Sequence, residues 1–385
     1  MTGLRDDPGG PLRPAVAEID LEAVDHNVRL LRERVAPAEV IAVVKADAYG
    51  HGAVPVARAA LSAGATSLAV ALVEEAEELR AAGVTVPILL LSEPPPAAAA
   101  RIVAADLTPS VYTATFAEAL RVEAARRSRP VRVHVNADTG MGRVGVPRSD
   151  WDGFLRTLRA WPDLEVQGLM THFACADQPG HPSVRQQQQR FEEFLQLART
   201  HGFDATVVHA ANSAAALTID EAHYDAVRLG IAMYGAPPSP ALASAAQLRP
   251  VMRLVAEVAF AKRVRANTAI SYGHSWSAPT AGVVATVPLG YADGVPRLLS
   301  NRGEVVVSGV RRPIVGAVTM DMFMVWCGDN RVDVGDEVVL LGRQEDAEVT
   351  ATEWAHHADT IAYEILSRIA PRVPRVYLTG QASGG

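Results

Sequence analysis

The sequence predicts an α/β chain, an N-terminal (β/α)8 TIM-like barrel followed by a C-terminal mainly-β domain. Three observations carry that expectation. Between Ile41 and Tyr234 eight short apolar runs alternate with longer amphipathic ones, the pattern of repeated βα units around a parallel sheet. After Tyr234 the composition shifts to the small, Pro-rich stretch Gly235-Ala-Pro-Pro-Ser-Pro-Ala-Leu, which reads as a linker. From about residue 250 strand patterns take over, separated by Gly and Asp turns, with no long helical window before Thr352. With 385 residues and 49% hydrophobic composition, the chain can bury a large core.

The expected division is 1–14 as a flexible N-terminus, 15–240 as the barrel and 241–385 as the β domain. A first strand near 16–20 is free to pair with the β domain. The eight barrel strands are expected over 41–46, 67–72, 88–92, 107–112, 131–137, 166–173, 206–210 and 226–233, where apolar and β-branched residues cluster. Helical periodicity places helices over 21–34, 54–63, 73–82, 115–125, 149–161 and 183–201. In the C-terminal part, strands are expected within 251–264 and over 282–287, 304–307, 313–318 and 337–341.

Bulk properties exclude several function classes. A net charge of -7 and a pI near 5.9, with basic residues gathered only in isolated pairs such as Arg126-Arg127 and Arg311-Arg312, argue against electrostatic nucleic-acid binding. Cys175 and Cys327 lie far apart without metal-ligand or redox spacing, so neither a disulfide framework nor a structural metal is expected, and a reducing cytoplasm fits. The segment from Met1 to Pro14 is Gly/Pro-rich without an apolar core, and no apolar stretch of about 18 residues follows, so neither secretion nor membrane insertion is expected. Small-molecule chemistry is the remaining default.

A barrel of this class carries its active site on the loops after its strand C-termini. Lys45 ends the apolar run Ile41-Ala42-Val43-Val44 and is one of only two lysines among 36 basic residues, the other being Lys262. A primary amine at an apolar mouth loses solvation of its charged form and becomes nucleophilic near neutral pH, which arginine cannot do. Arg143 follows the fifth strand, His172 closes the sixth, Asn212 and Ser213 follow the seventh, and Arg228, Gly230 and Ile231 end the eighth. Loops after strands seven and eight commonly offer N–H groups to a phosphate, the places held here by Ser213, Gly230 and Ile231. An imine-forming lysine with a phosphate cradle points to pyridoxal 5'-phosphate.

The motifs Val-Val-Lys45-Ala-Asp-Ala-Tyr49-Gly-His-Gly, Asp-Thr-Gly-Met-Gly-Arg143, Thr-His172-Phe-Ala, Ala-Asn212-Ser213-Ala-Ala, Val-Arg228-Leu-Gly-Ile-Ala-Met-Tyr234-Gly, Ser-Tyr272-Gly, Gly-Tyr291-Ala-Asp-Gly, Thr-Met320-Asp321 and Thr-Ile-Ala-Tyr363-Glu occur in that order. Through them the chain, from about Ala15 to Tyr377, resembles the alanine racemases of the pyridoxal-phosphate-dependent fold type III group.

The resemblance implies a homodimer with shared active sites, in which Lys45 holds the cofactor and acts as base on one face of Cα. Tyr272 of the partner subunit would serve the other face, aided by His172 and Arg228. Arg228 would face the pyridine nitrogen and Arg143 the phenolic oxygen. Tyr49, Asn212, Ser213, Gly230, Ile231 and Tyr363 would surround the rest of the cofactor, chiefly its phosphate. Substrate would meet Arg143, Tyr291, Tyr272 and the Met320 N–H. The implied product, D-alanine, supplies peptidoglycan.

The chain departs from the family in several places. Asn136 stands where many members carry a carbamylated lysine, and an anion near Asn136 would orient Arg143 in its place. Ala317, Thr319 and Cys175 replace common entrance residues, while Asp177, Arg297 and Tyr291 keep the usual channel character. A broad-specificity, serine or lysine racemase is therefore the alternative. A fold type III decarboxylase would set an acid against the pyridine nitrogen, where this chain has Arg228. His51 and the adjacent His356 and His357 read as structural or surface residues, His209 as either core or a support for Arg228, and Asp293 and Asp321 as loop holders.

Overall fold

The computed structural model describes residues 13–379. All but the last two residues of the N-terminal segment expected to be flexible lie outside them. The chain forms two compact units. One comprises Val24–Ala48 and Ala53–Arg249; the other combines, of the described residues, 13–23, Tyr49–Gly52 and 250–379.

In chain order the first nine strands are β1 (Ala15–Asp20), β2 (Glu39–Val43), β3 (Ser67–Val70), β4 (Ile88–Leu90), β5 (Thr108–Val111), β6 (Val131–Asn136), β7 (Leu164–Met170), β8 (Val207–His209) and β9 (Ala226–Leu229). Strands β2 to β9 make the eight-stranded parallel sheet, each beside its successor, with β9 returning to pair with β2. The remaining seam is joined by backbone bonds: Asp225 N–H donates to Val208 O at 3.0 Å and Arg228 N–H to Ala211 O at 2.9 Å. This nearly closed barrel is the predicted one.

Helices cover it because their apolar faces are buried. Trp151, Phe191 and Phe194 pack together, the Trp151 ring edge-on to Phe194 at 5.2 Å, each burial contributing about 1.5–3 kcal/mol. Helix starts follow local chemistry. The Asp20 carboxylate accepts from Glu22 and Ala23 N–H at 2.9 and 3.0 Å ahead of the helix Leu21–Val35, Thr113 caps Ala114–Arg126, and Pro182 opens Pro182–Thr200. Two six-residue helices, Ala99–Ala104 and Ser213–Thr218, are too short to show a period and were not expected.

Two strands end earlier than their apolar runs suggest. β2 stops at Val43 rather than Ala46, because residues 46–49 turn left-handed. β9 stops at Leu229 rather than Met233, because Ile231–Tyr234 tightens into a 3-10 turn whose Tyr234 hydroxyl donates to Val43 O at 2.8 Å. The Ile231–Tyr234 turn stays apolar because it is buried, whereas in the turn after β2 only Ala48 and Tyr49 are buried and Ala46 and Asp47 are exposed.

The second unit is built on a ten-stranded sheet. Its order is Phe260–Val264, Gly282–Val287, Phe323–Gly328, Val310–Val315, Glu304–Val307, Glu337–Gln344, Met252–Glu257, β1 and Arg375–Leu378, with Ala347–Val349 flanking Glu337–Gln344. β1 pairs antiparallel with Met252–Glu257 and parallel with Arg375–Leu378, so the chain's first strand is interior to this sheet. The strand Phe323–Gly328 alternates buried and half-buried residues but was not expected.

The unit boundary lies after Arg249, beyond the composition shift, for an identifiable reason. Asn27 is fully buried; its amide donates to Met233 O at 3.1 Å and Arg249 O at 2.8 Å and accepts from Arg249 N–H at 2.8 Å. That fork holds the Pro-rich segment to the barrel up to Arg249. Asn27→Ala leaves three backbone groups without it, and the expected loss is about 2–4 kcal/mol of unfolding free energy, read from urea denaturation. A shift below about 0.5 kcal/mol would refute the assignment.

Candidate active site

Lys45 follows β2 and is followed by four consecutive non-glycine residues with positive φ: Ala46 at 52°, Asp47 at 53°, Ala48 at 51° and Tyr49 at 55°. Left-handed helix costs an L-residue about 1–2 kcal/mol, so this turn needs anchors. The Glu75 carboxylate accepts from Ala46 N–H at 2.6 Å and from Ala71 and Leu72 N–H at 2.9 and 3.0 Å. Asp47 accepts from Ala53 N–H at 2.7 Å, and Ala48 N–H donates to Val44 O at 2.9 Å. Charge-assisted bonds of about 1.5–3 kcal/mol each offset strain of that size.

Burial pushes the Lys45 amine below its ordinary pKa; the Arg143 charge adds to this, Glu75 opposes it, and Arg228 lowers it further. The neutral amine is thereby more accessible than in a solvated lysine. Tyr49 closes the same turn, and burial raises its phenol to about 12.

Arg228 is the most buried charge of this unit. Its NH1 donates to His209 Nδ1 at 2.6 Å and His209 O at 3.2 Å. Its NH2 donates to the carbonyls of Thr171 at 2.8 Å and Ala210 at 2.9 Å, and to His172 Nδ1 at 3.1 Å. All these partners are neutral acceptors. Burial, then the Arg143 charge, lowers its pKa to about 10, so the guanidinium stays charged at neutral pH.

The imidazoles respond. His172 is held well below its ordinary value by burial and then by Arg228, Arg143 and Lys45. His209 is lowered by burial, Arg228 and His134, and His134 is pushed down to about 3 by burial and Arg228. His209 Nε2 lies 2.8 Å from His134 Nδ1.

The loops after β6 and β7 are tied together by one buried side chain. Gln187 donates to His172 O at 2.8 Å and Thr139 Oγ1 at 3.2 Å and accepts from Ala174 N–H at 2.9 Å. Thr171 gives its hydroxyl proton to Ala137 O at 2.9 Å, so at 2.7 Å it accepts from Thr139. Asp138 accepts from Gly140 and Gly142 N–H at 2.9 and 3.1 Å, shaping the turn that presents the exposed Arg143. Gly145, at φ 117°, cannot be replaced there, since a Cβ would lie 2.7 Å from Asp138 N.

Past β8, Asn212 caps the helix Ser213–Thr218 by accepting from Ala215 N–H at 3.1 Å. Ser213 Oγ accepts from Gly230 N–H at 2.8 Å and Ala232 N–H at 3.4 Å, which leaves its own proton to donate outward. Asn136 is buried at the end of β6. The barrel thus gathers Lys45, Arg143, His172 and Arg228 into one electrostatic cluster and Ser213 with Gly230 into another.

The other expected residues belong to the second unit, where they are grouped with one another. Tyr272 is 78% exposed in a turn tied down by the Ser271 hydroxyl donating to Ala317 O at 2.8 Å. Tyr291 N–H donates to Thr319 O at 2.9 Å and Ala292 N–H to Met320 O at 3.0 Å, so the loops bearing Tyr291 and Met320 are zipped together. Asp293, fully buried, holds that junction: it accepts from Gly290 N–H at 2.8 Å and pairs with Arg13 at 2.7 Å and Arg372 at 2.9 Å, while Arg372 also reaches Asp321 at 2.8 Å. Tyr363 packs against Tyr49 with ring centroids 6.1 Å apart.

Sequence reasoning missed Glu75, Gln187 and His134. Only His134 left a trace, as a polar residue two places from Asn136 and so on its face of β6.

Two family models match the chain, the alanine racemase N-terminal domain over residues 19–238 and the alanine racemase C-terminal domain over residues 251–377. The alanine racemase of Streptomyces coelicolor is 47% identical over 387 residues, covering 98% of this chain and 99% of the relative. Among solved structures, the alanine racemase from D-cycloserine producing Streptomyces lavendulae superposes with a TM-score of 0.94 at 45% identity, covering 96% of this chain and 98% of that one. That from Bacillus anthracis with bound L-Ala-P gives 0.91 at 41% identity, covering 97% of each.

Two expectations follow from the geometry. Glu75→Ala removes the acceptor for three N–H groups around a strained turn; it should cost about 2–4 kcal/mol in thermal or urea unfolding and lower the Lys45 pKa further. An unchanged melting temperature would refute the anchor. Three imidazoles held neutral bind no proton in the folded state near pH 6, whereas unfolded ones do. Their contribution to stability is present above about pH 6.5 and lost below it. Urea midpoints between pH 7 and 5 should report a fall approaching about 4 kcal/mol for each pH unit below 6, and a flat profile would contradict the neutral trio.

Proposed function

The chain belongs to the alanine racemase family, and from that premise we propose that it interconverts L- and D-alanine by a two-base mechanism on pyridoxal 5'-phosphate. The observation that carries this reading is a desolvated primary amine set among fixed positive charges at the end of β2. Within the barrel the donor set fits the cofactor. Lys45 offers the amine, Ser213 a hydroxyl proton beside Gly230, and Arg143 and Arg228 two charges that favour an anionic ligand.

When bound, pyridoxal 5'-phosphate supplies a conjugated ring that withdraws electrons from the substrate's Cα–H bond. Lys45, whose amine burial makes easier to deprotonate, removes or returns a proton on one face of Cα. Tyr272 of the partner subunit serves the opposite face. Inversion needs both, because a proton taken from one side must be replaced from the other. An unperturbed phenol, with pKa about 10, is a poor base near neutrality. His172 helps: Arg228 donates to its Nδ1, so its Nε2 carries the proton and can donate to a phenolate. Arg228, always protonated, gives a pyridine nitrogen no proton, which restrains electron withdrawal and disfavours transamination. Arg143 is assigned to the phenolic oxygen, with an anion beside Asn136 orienting it, and Tyr49, Asn212, Ser213, Gly230, Ile231 and Tyr363 to the remainder, chiefly the phosphate.

The second-unit residues Tyr272, Tyr291 and Met320 are assigned to the site of the other subunit of a homodimer. There the Met320 N–H would meet the substrate carboxylate. The support is their exposure and the backbone bonds that bind their loops into one patch. No helix among the described residues is long and apolar enough to cross a membrane. We assign the enzyme to the cytoplasm, supplying D-alanine for peptidoglycan, a place that suits two free cysteines.

Borohydride reduction of the cofactor-loaded protein followed by peptide mapping should place the pyridoxyl label on Lys45; a label on Lys262 would sink the assignment. Across a panel of L-amino acids alanine should be among the best substrates, and its failure to be so would favour the broader specificity that Ala317, Thr319 and Cys175 allow. Tyr272→Phe should lower turnover by about 10²- to 10⁴-fold while leaving cofactor binding intact.

A further inference from the structure

We propose that His134 is a positioning residue for the reaction: by accepting from His209 it fixes the tautomer in which His209 can receive Arg228. His134, His209, Arg228 and His172 then form one hydrogen-bonded relay of fixed polarity. The functional consequence rests on the reading of Arg228 and His172 as active-site groups. The polarity itself follows from donor counting.

A guanidinium only donates. The 2.6 Å approach of Arg228 NH1 to His209 Nδ1 therefore requires a lone pair on Nδ1. A neutral imidazole then carries its proton on Nε2, and that nitrogen faces His134 Nδ1 at 2.8 Å. His134 must accept, so its own proton also sits on Nε2. On the other side the 3.1 Å contact of Arg228 NH2 with His172 Nδ1 imposes the same tautomer on His172. The opposite tautomer of His209 would set N–H against N–H at 2.6 Å in a buried site. His134 biases His209 against it, because the bond between them forms only when His209 Nε2 carries the proton. The fixed cation acting on all three rings is Arg228; Arg143 acts on His172 as well, and so does Lys45 when its amine is protonated.

The fold makes room for this ring. His134 pairs with Gly168 of β7 at an irregularity in the register, and a Cβ on Gly168 would lie 2.5 Å from the imidazole. Its ring centroid lies 5.0 Å from that of His209, and both residues are buried. Placed behind the mouth, His134 acts only through His209.

The test labels histidine nitrogens with 15N and reads tautomers from their shifts in the cofactor-loaded protein. His134, His209 and His172 should each carry a single proton on Nε2 between about pH 5.5 and 8.5. Any of the three protonated on Nδ1 in that range overturns the relay. Two variants separate positioning from packing: His134→Asn, whose Oδ1 replaces the acceptor, and His134→Leu, which removes it. The Leu variant should lose about ten-fold in kcat with KM for alanine changed less than about two-fold, and the Asn variant should stay within about three-fold of wild type. Equal losses in both variants at wild-type melting temperature, or none in the Leu variant, overturn the proposal. If the Leu variant does not fold, the tautomer pattern and the Asn variant decide. A wild-type protein inactive on alanine but showing the predicted tautomers would remove the proposed function and leave the relay standing.

Discussion

A permanently charged guanidinium buried among neutral acceptors governs the barrel unit's chemistry. Moving a charge out of water costs several kcal/mol even after relaxation. Arg228 meets that cost with three carbonyls and two imidazole nitrogens. Because the compensation is dipolar, the positive charge is not cancelled, and it acts on every basic group nearby. It contributes to keeping His134, His172 and His209 neutral and to depressing the Lys45 amine. Burial is the larger cause for each. A carboxylate in place of those acceptors would have neutralised the cluster and left Lys45 closer to its ordinary, protonated state.

Fixed charge is useful only if the groups around it hold still. The left-handed turn after Lys45 is the clearest case, since four adverse residues would relax to right-handed or extended backbone if released. Glu75 and Asp47 prevent this through backbone N–H groups, and Glu75 joins the loop after β2 to the one after β3. Gln187 does the same between the loops after β6 and β7. Gln187 holds its loops without adding a charge, whereas Glu75 and Asp47 are carboxylates and Glu75 opposes the lowering of the Lys45 amine.

The barrel's strand count, the change of composition after it and the residues Lys45, His172 and Arg228 were legible because they rest on local periodicity and on strand-end placement. Motif order extended that reading to the family. Strand ends were less legible: Ala46 and Ile231 are apolar whether the backbone is extended or tightly turned, and the pattern does not distinguish the two. Glu75 looked like any acid in the first turn of a helix. The reach of the barrel unit to Arg249 depends on Asn27, more than two hundred residues away in sequence. His134 alternates with valines between Arg132 and Asn136, and its significance depends on Gly168 and His209, on two further strands that only tertiary structure brings beside it.

Each unit carries a deeply buried ion among the described residues, Arg228 in one and Asp293 in the other, and the comparison explains how these two differ. Arg228 is held by dipoles, so its charge remains available to neighbouring groups. Asp293 is held by two arginines and a backbone N–H, so its charge is consumed locally, and what it provides is geometry. The loops it holds carry Tyr291 and Met320, and Ser271 ties the Tyr272 turn to the same segment. A fold that buries a carboxylate to fix the loops of Tyr291 and Met320 while leaving Tyr272 and Met320 largely exposed is rigid where a free surface would have no need to be. That rigidity supports assigning these side chains to a site completed by another copy of the chain. Such a site gains least from a mobile phenol and most from one already held in place.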